Sequence, residues 1–118
     1  MDEKELKDRT KQFSLRAIKL SSSLPNTLAA QVIGRQLVKS GTSVGANYRA
    51  ACRGRSKAEF AAKLGIVEEE ADESAFWMEI IIESGMLKEQ LVQPLLNEAN
   101  KITAIMVASR KTTKKHAG

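Results

Sequence analysis

Residues Arg35 to Glu79 read RQLVKSGTSVGANYRAACRGRSKAEFAAKLGIVEEEADESAFWME, and the spacing within them decides the fold. Leu37, Ser40, Val44, Asn47 and Ala51 recur at alternating intervals of three and four residues. Phe60, Leu64, Val67, Ala71, Ser74, Met78 and Ile81 do the same. Each series keeps one face of an α-helix turned toward a partner. Between them Arg53-Gly54-Arg55 is a break, with Gly54 suited to a left-handed cap. Ser56 and Glu59 then form the Ser-x-x-Glu box that opens the second helix of the pair. Gly41 and Gly45 argue for a loop instead, since each costs a helix about 1 kcal/mol relative to alanine. The unbroken periodicity favours a helix whose glycine faces lie against a neighbour.

The same pattern extends outward. Leu6, Phe13, Ala17, Leu20 and Leu24 lay one apolar stripe on a first helix from about Glu3 to Ser22, stopped before Pro25. Asn26 or Thr27 caps the second helix, which adds Ala30 and Ile33 and reaches about Cys52. The third closes at Ser84-Gly85. A fourth starts between Met86 and Gln93 and runs to about Lys111, with Leu91, Leu95, Ala99, Ile102, Ile105 and Met106 as its apolar stripe. Pro94 fits its first turn, or kinks it if the helix begins near Lys88. From about residue 112 a frayed basic tail is expected. Four amphipathic helices with short connections predict an all-α, antiparallel, left-handed up-down-up-down bundle, a single domain over residues 1–118.

Composition agrees. The chain has 118 residues, a formal charge of +5, two prolines and few aromatics, which favours helix throughout. Cys52 is the only cysteine, so no intrachain disulfide forms and a reducing, cytoplasmic setting is expected. The charged start MDEKELKDRTK is unlike a signal peptide, and no apolar run reaches the roughly 20 residues of a membrane span.

Charge is distributed unevenly. Residues 35–57 carry six basic side chains and no acid, whereas residues 58–83 carry eight acids and one lysine. Arg49, Arg53, Arg55 and Lys57 cluster at the helix end and turn. They suit phosphate contact, because guanidinium binds phosphate bidentately and displaces counterions; the alternative is pairing with acids of the next helix, in the same or a neighbouring subunit. Phe76, Trp77, Met78, Ile80, Ile81 and Ile82 encircle their helix. A helix apolar all round is buried all round, so Trp77, Ile80 and Ile81, with Tyr48, are candidate oligomer contacts. Ser40, Ser43 and Asn47 read as a polar seam, with hydroxyls bonded back to their own helix and Asn47 fixing register, or else as a pore lining. The acids Glu68, Glu69, Glu70, Asp72 and Glu73 read as a solvated face. A carboxylate di-iron site needs two Glu-x-x-His pairs, and the single histidine, His116, cannot supply them. Cys52 reads as a small packing residue, its pKa lowered only modestly by Arg53. No cofactor, metal site or catalytic constellation is indicated.

The residues from Gln36 to Glu73 resemble the four-helix-bundle family named after the intervening-sequence protein of bacterial 23S ribosomal RNA. Leu37, Lys39, Ser40, Ser43, Val44 and Asn47 match its Leu-x-basic-Ser-x-x-Ser-aliphatic-x-x-Asn pattern, and Ser56, Glu59 and Phe60 match its Ser-x-x-acid-aromatic opening. Tyr48-Arg49-Ala50-Ala51 replaces a common Ile-Ala-Glu-Gly, and Glu69-Glu70 replaces Gly-Ser. The resemblance implies an antiparallel bundle assembled as a ring-shaped homopentamer, with basic, nucleic-acid-associated relatives. The expected function is a non-catalytic oligomeric scaffold binding RNA or DNA through its basic turns. The alternative is a protein-interaction scaffold whose charged faces serve assembly and a protein partner.

Overall fold

The computed structural model describes residues 1–117, with side chains through residue 113. Four helices follow one another: α1 (Glu3–Ser22), α2 (Leu28–Cys52), α3 (Lys57–Glu83) and α4 (Glu89–Ala117). Among the described residues no helix is long and apolar enough to cross a membrane. Local chemistry sets the boundaries. Asp2, Thr27 and Ser56 each accept a backbone N–H of the first turn of α1, α2 and α3, satisfying a donor that the helix itself leaves open.

The expected seams form the core. Leu37, Val44 and Ala51 of α2 and Leu64, Val67, Ala71, Met78 and Ile81 of α3 are buried, with Phe13 and Ala17 of α1 and Ala99, Ile102 and Met106 of α4. Pairings along the seams run antiparallel. Gly34 lies against Leu24 and Ser21, Gly41 against Ala17, and Gly45 against Ser14 and Thr10. Ser74 bonds Ser40 across α2 and α3, and Arg110 bonds Glu68 across α3 and α4.

Helix α2 is continuous through Ser40–Gly45, and α1 supplies the reason. A Cβ at Gly41 would stand 2.4 Å from Ala17 Cβ, and one at Gly45 would stand 2.7 Å from Ser14 Oγ. Ser14 also donates to the Gly41 carbonyl at 2.8 Å and accepts the Gly45 N–H at 3.1 Å. Its hydroxyl therefore bridges two α2 backbone groups one turn apart, where the missing side chains let α1 approach.

Several expectations change. Gly54 is not left-handed; among the described residues only Gly85 has positive φ, at 74°. Gly54 is needed for space, since a Cβ there would meet the Ala51 carbonyl at 3.1 Å. Gly85 instead ends α3, with its N–H on Ile82 O and the Met86 N–H on Ile81 O, the paired bonds of a Schellman motif. Pro94 lies inside α4 beyond the first turn, and the exposed position of Gln90 leaves the carbonyl it deprives open to water. Leu91 is 59% exposed while Val92 is buried, so the α4 stripe enters one residue later than its spacing suggests. Helix α4 continues to Ala117 rather than ending near Lys111; the side chains of residues 114–117 and all of Gly118 lie outside the described residues.

The α1–α4 seam is the thinnest of the four, and one ion pair spans it. Arg9 donates to both Glu98 oxygens, at 2.6 and 2.8 Å, with both side chains largely covered. That bond holds the Glu98 carboxyl below its ordinary value, against the opposing effect of burial. A depressed carboxylate stabilises the fold above the unfolded value near 4.5 and loses that stability as pH falls through its folded value. Glu98→Gln should therefore cost about 1–2 kcal/mol at pH 7. The deficit should shrink in urea titrations as pH falls below the ordinary carboxylate range.

A candidate nucleic-acid interface at the α2–α3 turn

The turn between α2 and α3 has a hydrogen-bonded backbone and exposed basic side chains. Arg53 caps α2, its N–H on Ala50 O at 3.1 Å, and Gly54 N–H follows on Ala51 O at 3.0 Å. Glu59 donates its N–H to Ser56 Oγ at 3.1 Å. Its carboxylate reaches back to the Arg55 N–H at 2.6 Å rather than to Ser56 itself, so the expected box is displaced by one residue. Arg49, Arg53, Arg55 and Lys57 are all exposed around this frame.

Pairing with acids of the same chain does not occupy the arginines. The ion pairs found among the described residues are Lys7–Glu3, Arg9–Glu98 and Arg110–Glu68, and Arg49, Arg53 and Arg55 take part in none of them. The fold gathers further charge here, because α1 begins and α4 ends beside this turn. Residues 1–11, 43–69 and 104–113 hold eleven basic residues and seven acids, a net +4, against −1 for residues 12–42 and 70–103. The bundle is 49 Å long, several times the ~10 Å screening length at ordinary salt. The basic end therefore presents its own field.

A shallow groove of about 430 Å³ opens beside the turn, lined by Glu3, Cys52, Gly54, Arg55, Ser56 and Phe60. Cys52 does not behave as Arg53 alone would have it: burial pushes its thiol up, partly offset by the neighbouring Tyr48 hydroxyl. The Tyr48 phenol is pushed well above its ordinary value, first by burial and then by Cys52. Both groups stay protonated at neutral pH, and Cys52 packs against the core.

The proposed oligomer contacts divide. Tyr48 is 3% exposed and Ile81 fully buried, so both are corrected to core residues: they fill this chain's own interior. Trp77 and Ile80 are half-buried, and Phe76, 51% exposed, meets Trp77 edge-on at 5.0 Å. The Trp77 indole N–H is buried without a hydrogen-bond partner among the described residues.

The seam is local and structural in its bonding. Asn47 donates to Ser43 O of its own helix at 2.9 Å, so it does not reach across to fix register. The cross-helix polar contact is Ser74 to Ser40, 2.9 Å and fully buried, while Ser43 and Asn47 are half-buried. Glu69, Asp72 and Glu73 are exposed. Glu70 is raised mainly by burial, then by Glu73, with Lys39 opposing. Among the described residues no three His, Cys, Asp or Glu groups gather as a metal site; the His116 side chain lies outside them.

Sequence reasoning missed the Arg9–Glu98 and Arg110–Glu68 bridges, whose partners are 89 and 42 residues apart. It also missed Leu28, 81% exposed, and Val32, 48% exposed. Their spacing to Arg35, four and then three residues, places them on the outer face of α2 and could have revealed them.

The profile of the 23S rRNA-intervening sequence protein family matches residues 3–108. The chain is also similar to a crystal structure of a protein of unknown function from the S23 ribosomal protein family of Bacteroides thetaiotaomicron. The two share 31% identity with a TM-score of 0.86, over 94% of this chain and 99% of that one. No curated protein matches the chain.

Proposed function

The chain belongs to the 23S rRNA-intervening sequence protein family, and from that premise we propose that it is a non-catalytic, oligomeric helical-bundle scaffold that binds RNA or DNA through its basic end. The observation that carries this reading is the exposed trio Arg49, Arg53 and Arg55, held on a hydrogen-bonded turn and paired with no acid among the described residues. Guanidinium groups so presented meet phosphate oxygens bidentately. Lys57 adds a charge beside them. Tyr48, buried, offers no base-stacking platform, so contact falls on the phosphate backbone and sequence readout is slight.

Assembly would repeat the basic end around a ring and multiply weak phosphate contacts on one polyanion. The alternative is a protein-interaction scaffold whose charged faces serve subunit assembly and a protein partner; among the described residues no acid of the same chain pairs with the three arginines.

Titration of the purified protein against structured RNA and duplex DNA, followed by fluorescence anisotropy, tests the reading. Three arginines each meeting a phosphate predict a roughly 40-fold loss of duplex affinity between about 50 and 200 mM salt. Absence of binding at low salt would sink the nucleic-acid reading and move the search to protein partners.

A further inference from the structure

Two stripes of complementary character run along the outside of α2 and α3. On α2, Leu28, Val32, Arg35 and Lys39 follow one another at intervals of four, three and four residues, one face of a helix. All four are exposed, Leu28 to 81%, and α2 contains no acidic residue. On α3, Glu69, Glu73, Phe76 and Ile80 keep the same intervals. The first three are exposed and Ile80 is half-buried. Solvated helix faces seldom hold out leucine, valine and phenylalanine together at such spacing.

Laid antiparallel, the stripes match position by position. Leu28 falls opposite Ile80, Val32 opposite Phe76, Arg35 opposite Glu73 and Lys39 opposite Glu69. A slip of one turn in one direction sets Val32 against Glu73, and a slip in the other sets Arg35 against Phe76, so this register makes the most complementary contacts. We propose that the outer face of α2 in one copy docks antiparallel on the outer face of α3 in the next, with apolar contact at one end and two ion pairs at the other.

This rests on the oligomeric part of the proposed function and names the surfaces that build it. The two faces differ, so the contact is head-to-tail. They also occupy the same half of the bundle: in one chain Ser40 bonds Ser74, and Lys39 is close enough to attract the Glu70 carboxylate. Arg53 and Arg55 lie beyond the start of α3 and stay outside the interface, available at one rim.

Charge exchange tests the pairing. Glu69→Lys with Glu73→Lys, and separately Arg35→Glu with Lys39→Glu, should each lower the native mass by light scattering to that of a single chain, with helicity by circular dichroism unchanged. Mixing the two variants in equal amounts should restore assembly, because each supplies the face that the other has reversed. Variants that stay assembled like the wild type, or dissociated variants that fail to reassociate on mixing, would overturn the face pairing while leaving an oligomeric scaffold intact. A wild-type chain that is monomeric at every concentration would overturn the oligomeric reading itself.

Discussion

Gly41→Val should lose about 3 kcal/mol or more of stability, read as a fall in melting temperature of about 10 °C or more by circular dichroism. The reason is the absence of room. The Cβ that even alanine would add at Gly41 falls 2.4 Å from Ala17 Cβ, an atom fixed to the α1 backbone that cannot rotate away. Relief requires α1 and α2 to separate. Separation would break the Ser14 bridge to Gly41 O and Gly45 N and open the core around Phe13 and Leu37. Gly65→Ala supplies the contrast, because a Cβ there meets only Arg110 Cδ, at 3.9 Å. It should stabilise the protein by about 0.5–1 kcal/mol, the ordinary helix preference for alanine. Equal effects from Gly41→Val and Gly65→Ala would show that close approach does not explain the α2 glycines.

Arg53→Gln combined with Arg55→Gln should weaken nucleic-acid binding by roughly 30- to 100-fold at low salt, at about 1–1.4 kcal/mol for each lost charge-assisted contact. Stability should barely move. Both side chains are exposed, neither belongs to an ion pair found among the described residues, and the bonds that shape the turn come from backbone groups, Ser56 and Glu59. The native mass should also stay constant, since the turn lies beyond the proposed α2–α3 contact. A fall in mass without a fall in affinity would assign these arginines to assembly.

The helices were legible because burial imposes a period. Leu37 to Ala51 and Phe60 to Ile81 each announce a face, and the structure buries that face along most of its length. Helix ends were legible where one residue type does the work, as at Thr27, Ser56 and Gly85. Geometry between helices was not. Gly54 and Gly85 look alike in sequence, yet one is required by a crowded carbonyl and the other by its backbone angle. Tyr48 and Ile81 sit within runs that suggest an outer contact, but the core claims both. Arg9 gives no local sign of Glu98, because the α1–α4 seam joins the two ends of the chain. For the candidate site, the basic cluster was legible as composition. That its arginines escape pairing with α3 acids depends on where α3 points those acids, which spacing alone does not settle.

The central claim is phosphate contact at the α2–α3 turn, and the salt dependence of binding measures it most directly. We would determine duplex DNA affinity over a salt series for the wild type and for Arg53→Gln/Arg55→Gln. Loss of two phosphate contacts should lower the slope of log affinity against log salt by about 1.8 for each subunit engaged. Identical slopes in the two proteins would place the polyanion elsewhere on the molecule and contradict the account.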